Sequence, residues 1–182
     1  KKRLIKNAAA NVTPIRQPTQ YHCVPTSLAM ALLALGVRKE ECLPEIVNKV
    51  LGALPLRGAS FEQVSAAASH YGMRTTLVTP STLRQVKEWT DMGKPVMIGW
   101  NPENREWSHA SLIFDVQEQD DGTLKVFVAD PNIPNPEKLV RVIEEDEFYS
   151  KWYEKATPGY LIRRPAMCIE REITPDGKQV MR

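Results

Sequence analysis

The 182-residue sequence lacks the features that mark several large classes of protein. Its three cysteines, Cys23, Cys42 and Cys168, are widely spaced and contain no CxxC pair, which argues against a closed disulfide framework or a zinc site. The longest apolar run, residues 28–37, is about half as long as a membrane-spanning helix. Neither a phosphate-binding glycine loop nor an HExxH pattern occurs. We therefore expect a protein of the reducing cytoplasm, with no metal or other cofactor and no membrane contact.

The sequence also lacks an excess of charge of one sign. Its 24 Lys and Arg residues nearly balance its 22 Asp and Glu residues, so no net field attracts nucleic acid or anionic lipid. The hydrophobic fraction of 42% is ordinary for a globular protein, and the length suits one domain.

The two ends of the sequence are polar. The opening KKRLIKNAAA has a basic start, but Leu4 and Ile5 alone cannot replace the roughly 7 to 15 apolar residues of a secretion signal. We expect a polar leader arm over 1–13, one domain over 14–165 and a C-terminal extension over 166–182.

Helical spacing dominates the first half of the sequence. Leu28, Leu32 and Leu35 recur at i, i+4 and i+7 after Pro25, and Gly36 ends the pattern, which predicts a core helix. Shorter helices are predicted at 44–51, 60–71 and 82–91, with Ser60 and Ser81 as N-caps and Gly72 and Gly93 as stops.

Strand patterns dominate the second half. Apolar runs predict strands at 95–100, 109–116 and 124–130, with further strands at 138–143 and 160–163 and a short helix near 145–153. The polar turn QEQDDGT joins the second and third runs as a hairpin. Helices followed by strands indicate an α+β fold with a mainly antiparallel sheet.

Only three histidines are present, so any mechanism that uses histidine depends on one of them. His70 ends a predicted helix, where an imidazolium interacts favourably with the helix dipole. His22 adjoins Cys23, and neighbouring side chains on a helix point about 100° apart, so His22 flanks a site rather than activating the thiol. His109 opens a predicted strand.

The predicted hairpin register brings polar partners to His109. A turn centred near residues 120 and 121 places His109 opposite Asn132 and Asp130 opposite Ser111, within two positions. Asp115 lies six residues further along the strand, about 20 Å from His109, and cannot orient its ring. Register alone leaves both Asp130 and Asn132 open as the partner.

Cys23 lies where the core helix begins. A cysteine at a helix N-terminus has its thiolate favoured by exposed N–H groups, although an inert, buried thiol is the alternative interpretation. Cys42 and Cys168 lack this setting. Gln17, six residues before Cys23, could donate its amide to an oxyanion. Together with His109, these residues suggest a nucleophile, a base and an oxyanion donor for acyl transfer.

Four strings carry a family resemblance: QPTQYHCVPTSLAMAL, GKPVMIGW, SHASLIFDV and VFVADPN. They resemble the papain-like cysteine peptidases, and within them the branch of double-glycine, bacteriocin-processing peptidases and their stand-alone relatives. The resemblance implies a papain-like fold, in which the nucleophile begins a core helix packed on the C-terminal sheet. It assigns Gln17 to the oxyanion hole, Cys23 to the nucleophile, His109 to the general base and acid, and Asp130 to orienting His109.

Two positions depart from the family pattern. Val24 stands where glycine commonly follows the cysteine, and His22 stands where bacteriocin-processing members commonly have aspartate. No membrane segment of a transporter follows the domain within these 182 residues, so a stand-alone member is the expected match. Trp100 and Trp107 bracket a polar loop and could line a substrate groove or pack at its rim.

The resulting functional prediction is a cysteine peptidase that hydrolyses a peptide or protein through a thioester, with Trp100, Trp107 and His22 contacting the substrate. A deamidase, transglutaminase or amide ligase would use the same residues. A peptide-binding module of the same fold without catalysis is the third alternative. The oligomeric state is left open.

Overall fold

Five α-helices, a short 3-10 helix at Lys39–Glu41 and eight strands are present in the described part of the chain, which in this computed structural model comprises residues 12–52, 59–133, 139–157 and 159–173. Most of the expected leader arm, and residues 174–182 of the expected extension, lie outside these ranges. The helices are α1 (Cys23–Ala34), α2 (Pro44–Leu51), α3 (Phe61–His70), α4 (Leu83–Asp91) and α5 (Glu145–Lys151). The strands are β1 (Met73–Val78), β2 (Val96–Trp100), β3 (His109–Glu118), β4 (Leu124–Ala129), β5 (Val140–Glu144), β6 (Tyr153–Thr157), β7 (Tyr160–Arg163) and β8 (Ala166–Arg171).

Six of the strands form one sheet in the order β1-β8-β2-β3-β4-β5, and each neighbouring pair is antiparallel. The strands β6 and β7 form a separate antiparallel hairpin. The predicted α+β class with an antiparallel sheet is therefore confirmed.

Helix α1 is the centre of the first core cluster. Its residues from Pro25 to Leu32 are all buried, because apolar and small side chains surround the whole helix rather than one stripe. Residues of α2, α3 and one face of the sheet complete this cluster. Residues of α4 and α5 pack in a second cluster with alternate residues of the same strands. The sheet is thus covered on both sides, and every residue of β2 is buried.

The predicted helix starts are confirmed at one position and wrong at another. Ser60 caps α3, where its side chain accepts a hydrogen bond from the Gln63 backbone and Gln63 returns one to Ser60. Ser81, the expected cap of α4, is buried and its backbone N–H donates to Arg164. Because that bond holds Ser81 in the preceding loop, Thr82 caps the helix instead.

The expected C-terminal extension is wrong for residues 166–171. These residues form β8, which lies between β1 and β2 inside the sheet, so the domain does not end at 165. Cys168, expected in a polar tail, is buried there at 2% exposure. The charged residues around AMCIER hid this strand in the sequence. Both of its faces are buried, but by contacts with residues that are distant in the sequence. The strands β1 and β6 were also missed.

Two isoleucines near the end of the described chain test the position of β8. Ile169 is fully buried, whereas Ile173 is 63% exposed. We expect Ile169→Ala to lower the free energy of unfolding by about 2–5 kcal/mol through the cavity it leaves. Ile173→Ala, the matched control, should change it by less than about 0.5 kcal/mol. Denaturant titration measures both, and equal effects would contradict the central position of β8.

Candidate active site

The N-terminus of α1 positions Cys23. The residues that follow Cys23 are enclosed by the core, and Ser27 in the next turn donates its hydroxyl to the Ala110 carbonyl at 3.3 Å. Cys23 itself is partly exposed, and backbone N–H groups of Ala110 and Val24 interact with its sulfur. The helix start therefore presents the thiol beside the first residues of β3.

The β3–β4 hairpin positions His109. Leu112 lies opposite Ala129 and Ile113 opposite Val128, which is the predicted register at this end of the hairpin. A bulge after Ile113 shifts the pairing by one residue nearer the turn. His109, whose side chain is 13% exposed, is thereby held beside the residues that follow β4.

Asp130 is the carboxylate that contacts His109. The His109 Nε2 atom lies 2.5 Å from Asp130 Oδ1, and the Asp130 side chain is only 3% exposed. Asn132, the other partner that register left open, contributes its backbone N–H, which donates to the same Asp130 oxygen at 3.0 Å. Asp115 instead accepts a hydrogen bond from Gln117.

Cys23 and His109 are hydrogen-bonded to each other, and this contact contributes to the pKa shifts of both groups. Burial by itself raises the pKa of the Cys23 thiol, but the hydrogen bond and charge of His109 more than offset burial and lower that pKa overall. Burial opposes the charged form of His109 too, yet its contacts with Asp130 and Cys23 raise the pKa of His109 to about 9. Both directions favour a thiolate beside an imidazolium near neutral pH.

Arg141 on β5 is a site residue that the sequence did not reveal. Its Nη1 donates to Asp130 Oδ2 at 3.0 Å and to Glu103 at 3.4 Å, and its guanidinium lies 5.4 Å from the centre of the Trp100 ring. Burial raises the pKa of Asp130, but hydrogen bonds from His109, Asn132 and Arg141 lower it overall. No motif links position 141 to the site, so only the β4–β5 pairing could have found it.

Gln17 is buried in the loop that leads to α1. Its backbone N–H donates to the carbonyl of Pro131, the residue after Asp130, at 2.9 Å. Its side-chain Nε2 donates to the Thr19 carbonyl at 2.8 Å, in the turn that precedes Cys23. The loop thus ties the end of β4 to the start of α1, and the described residues use only one of the two Nε2 hydrogens.

The three expected substrate contacts differ in position. Trp100 is fully buried, and its indole N–H donates to Ser111 at 2.9 Å, so the expectation that it lines a groove is wrong. The Trp100 ring packs in the core with other apolar residues of β2. Trp107 is 62% exposed in the loop before His109. His22 precedes α1, and its Nδ1 shares a hydrogen bond with the Thr19 hydroxyl.

The described residues contain neither a metal-binding cluster nor a helix suited to a membrane. No group of three or more His, Cys, Asp or Glu side chains within them could hold a metal ion. None of the helices in those ranges combines the length and the apolar character that membrane spanning requires.

Comparison with known proteins gives a family for this arrangement. Residues 9–159 match the model of the Peptidase_C39 like family, which is most of the chain, and the chain belongs to that family. No curated protein matches the sequence.

Solved structures share the fold at low sequence identity. The peptidase domain of Streptococcus ComA, a bifunctional ABC transporter involved in quorum sensing, matches with a TM-score of 0.66 at 14% identity, over 88% of this chain and 98% of that one. A double glycine motif protease from an AMS/PCAT transporter, in complex with its leader peptide, matches with a TM-score of 0.61 at 19% identity, over 89% and 93%. A protein from Bacillus anthracis described as a C39-like peptidase matches with a TM-score of 0.59 at 17% identity, over 89% and 96%. The fold is that of the papain-like cysteine peptidases.

The electrostatic setting predicts one reactive cysteine. Burial raises the pKa of Cys42 to about 11 and that of Cys168 to about 12, with nearby glutamates adding to both shifts. Limiting iodoacetamide near neutral pH should therefore alkylate Cys23 far faster than the other two, because the thiolate is the reacting form.

Mass spectrometry of the folded protein measures the three rates. His109→Ala should slow alkylation of Cys23 and move its pH midpoint upward, since the imidazolium that lowers the thiol pKa is then lost. Equal labelling of the three cysteines in the folded protein would contradict the assignment.

Proposed function

We propose that this chain is a cysteine peptidase that hydrolyses peptide bonds of a peptide or protein substrate through a thioester intermediate. Cys23 is the nucleophile, His109 the general base and acid, and Asp130 the residue that orients His109. The observation that carries the proposal is the hydrogen-bonded series Cys23–His109–Asp130 at the N-terminus of α1.

The series supports a complete reaction. The Cys23 thiolate attacks the carbonyl carbon of the scissile bond, and the carbonyl oxygen becomes an oxyanion. When that oxyanion collapses and the C–N bond breaks, the His109 imidazolium gives its proton to the departing amine. The neutral His109 then takes a proton from water, whose oxygen attacks the thioester carbon. Release of the acid restores the thiolate and the imidazolium.

Gln17 is proposed to stabilise the oxyanion together with the Cys23 backbone N–H. Its support is positional, since the Gln17 amide lies against the turn that leads into Cys23 and has a second Nε2 hydrogen that the described residues do not use. A neutral amide donor stabilises the developing charge without changing the charge beside the thiol.

The remaining features of the proposal rest on position and on similar proteins. Trp107 and His22 are proposed to contact the substrate, because one is exposed two residues before His109 and the other directly precedes Cys23. The double glycine motif protease, which is similar in fold, holds a leader peptide, and this supports a peptide as substrate. Three free cysteines fit an enzyme of the reducing cytoplasm.

The test is cleavage of a library of peptides from denatured proteins in isotopically labelled water. New peptide termini that carry the label are expected with the wild type and not with Cys23→Ala, whose unfolding free energy should change little. Asp130→Asn should lower turnover by about two orders of magnitude or more, because the orienting charge is lost. Asp115→Asn is the matched control and should retain activity.

Two results would contradict this function. A library left intact by the wild type would exclude hydrolysis, and deamidated glutamines without new termini would replace the peptidase with a deamidase.

Replacing Gln17 should separate two observables. Gln17→Ala is expected to leave the rate and pH midpoint of Cys23 alkylation nearly unchanged while lowering kcat by about 10²–10³, the usual effect of one oxyanion donor. Little change in KM would indicate stabilisation of the transition state. If alkylation falls in step with kcat, Gln17 acts by holding the loop, and unchanged turnover would remove it from the site.

A further inference from the structure

Glu154 on β6 carries a carboxylate for which the described residues provide neither a cation nor a hydrogen-bond donor. The side chain is half-buried, and burial alone raises its pKa to about 7. A carboxylate that is partly removed from water and left unpaired is costly. A cation from outside the chain would offset that cost.

The backbone of β2 is shaped to receive this carboxylate. The Glu154 carboxylate packs directly on Gly99, where the Cβ atom of any other residue would overlap the carboxyl group. Glycine in the middle of a strand costs stability, and a close approach by another group is a common reason for it. The absent side chain at Gly99 therefore makes room for the acid.

Strand pairing places Gly99 one strand away from the nucleophile. Gly99 lies opposite Ala110, so the two residues share a face of the sheet. Met97 and Leu112, two residues further along on that face, pack in the core cluster that contains α1. Ala110 directly follows His109 and contacts Cys23 through its backbone. Neighbouring strands are about 4.8 Å apart, so the Glu154 carboxylate over Gly99 lies one strand away from Ala110, whose backbone contacts Cys23.

Strand β6, which carries Glu154, is also bonded to the residues that precede His109. The Lys155 backbone N–H donates to the hydroxyl of Ser108 at 2.8 Å, and the Lys155 ammonium donates to the Arg105 carbonyl at 3.0 Å. β6 is thus fastened to the residues before His109, while Glu154 reaches the residue that pairs with Ala110. Glu154 is therefore held in place by contacts of β6 with the residues before His109 and by its own contact with Gly99, which pairs with the residue after His109.

We propose that Glu154 and Gly99 form a substrate subsite that binds the cationic side chain of a lysine or arginine next to the scissile bond. The subsite rests on the proposed peptidase function. A substrate whose carbonyl carbon approaches Cys23 has its flanking side chains within reach of the neighbouring strand, and lysine and arginine have long apolar stems that cross a half-buried surface. The ammonium or guanidinium then pairs with the carboxylate.

Matched electrophiles test the subsite without knowledge of the natural substrate. Two pairs of peptidyl chloromethyl ketones are used above pH 7, each pair differing only by lysine or norleucine, either at the residue that bears the ketone or at the residue before it. The measured quantity is the ratio of the rates at which the lysine and norleucine reagents alkylate Cys23. In one pair we expect the wild type to favour lysine by about tenfold, the effect of one charge-assisted hydrogen bond.

Four variants distinguish the subsite from a general effect. Glu154→Gln removes the charge and Gly99→Ala displaces the carboxylate, so both should bring the ratio close to one. Glu154→Lys should reverse the preference in favour of a glutamate reagent. Glu62→Gln, an exposed glutamate on α3, is the matched control and should keep the wild-type ratio.

The outcomes separate the two proposals. Equal alkylation rates with the lysine and norleucine reagents in both pairs, measured on the wild type, would overturn the subsite alone. A lysine preference that Glu154→Gln leaves intact would do the same. If none of the four reagents labels Cys23 faster than Cys42, the peptidase function fails, and the subsite fails with it.

Discussion

The enclosure of α1 by the core is the constraint on which the site depends. A helix buried on every side cannot rotate or slide without opening cavities, so its first residue keeps a fixed position relative to the sheet. The Ser27–Ala110 hydrogen bond fastens its second turn to β3. Cys23 can therefore remain partly exposed while its distance to His109 is set by packing that lies deeper in the protein.

Four charged groups then alternate in sign along one line of contacts, from Arg141 through Asp130 and His109 to Cys23. Their formal charges sum to zero when the thiol is ionised and the imidazole protonated. Each buried charge has an opposite neighbour, which offsets the cost of removing it from water, and the loss of one member would leave its neighbour unpaired. At the far end of this series the Arg141 guanidinium lies over the fully buried ring of Trp100.

The parts of this structure that the sequence predicts are those that local interactions determine. The capping box at Ser60, the β3–β4 register and the helix that follows Cys23 each depend on residues close together in the chain. The register was sufficient to bring two candidate partners to His109, the family resemblance assigned Asp130, and the structure shows the Asp130 carboxylate in contact with the His109 ring.

Features that depend on distant residues could not be read in this way. Strand β8 is identified by partners that lie about half the chain away, and its polar flanks resemble a tail. Arg141 reaches Asp130 because β5 pairs with β4, and Glu154 packs on Gly99 in a region where β6 is bonded to Ser108, directly before β3. Trp100 looked like a rim residue because it ends a strand, although its side chain faces the second core cluster.

β8 also has a consequence for biosynthesis, because β1 pairs with no strand other than β8 in the six-stranded sheet. Contacts between such distant segments form slowly and leave strand edges open to other chains while synthesis proceeds. The helix that carries Cys23 is synthesised before the sheet that carries His109, and that sheet is complete only once residue 171 has been added.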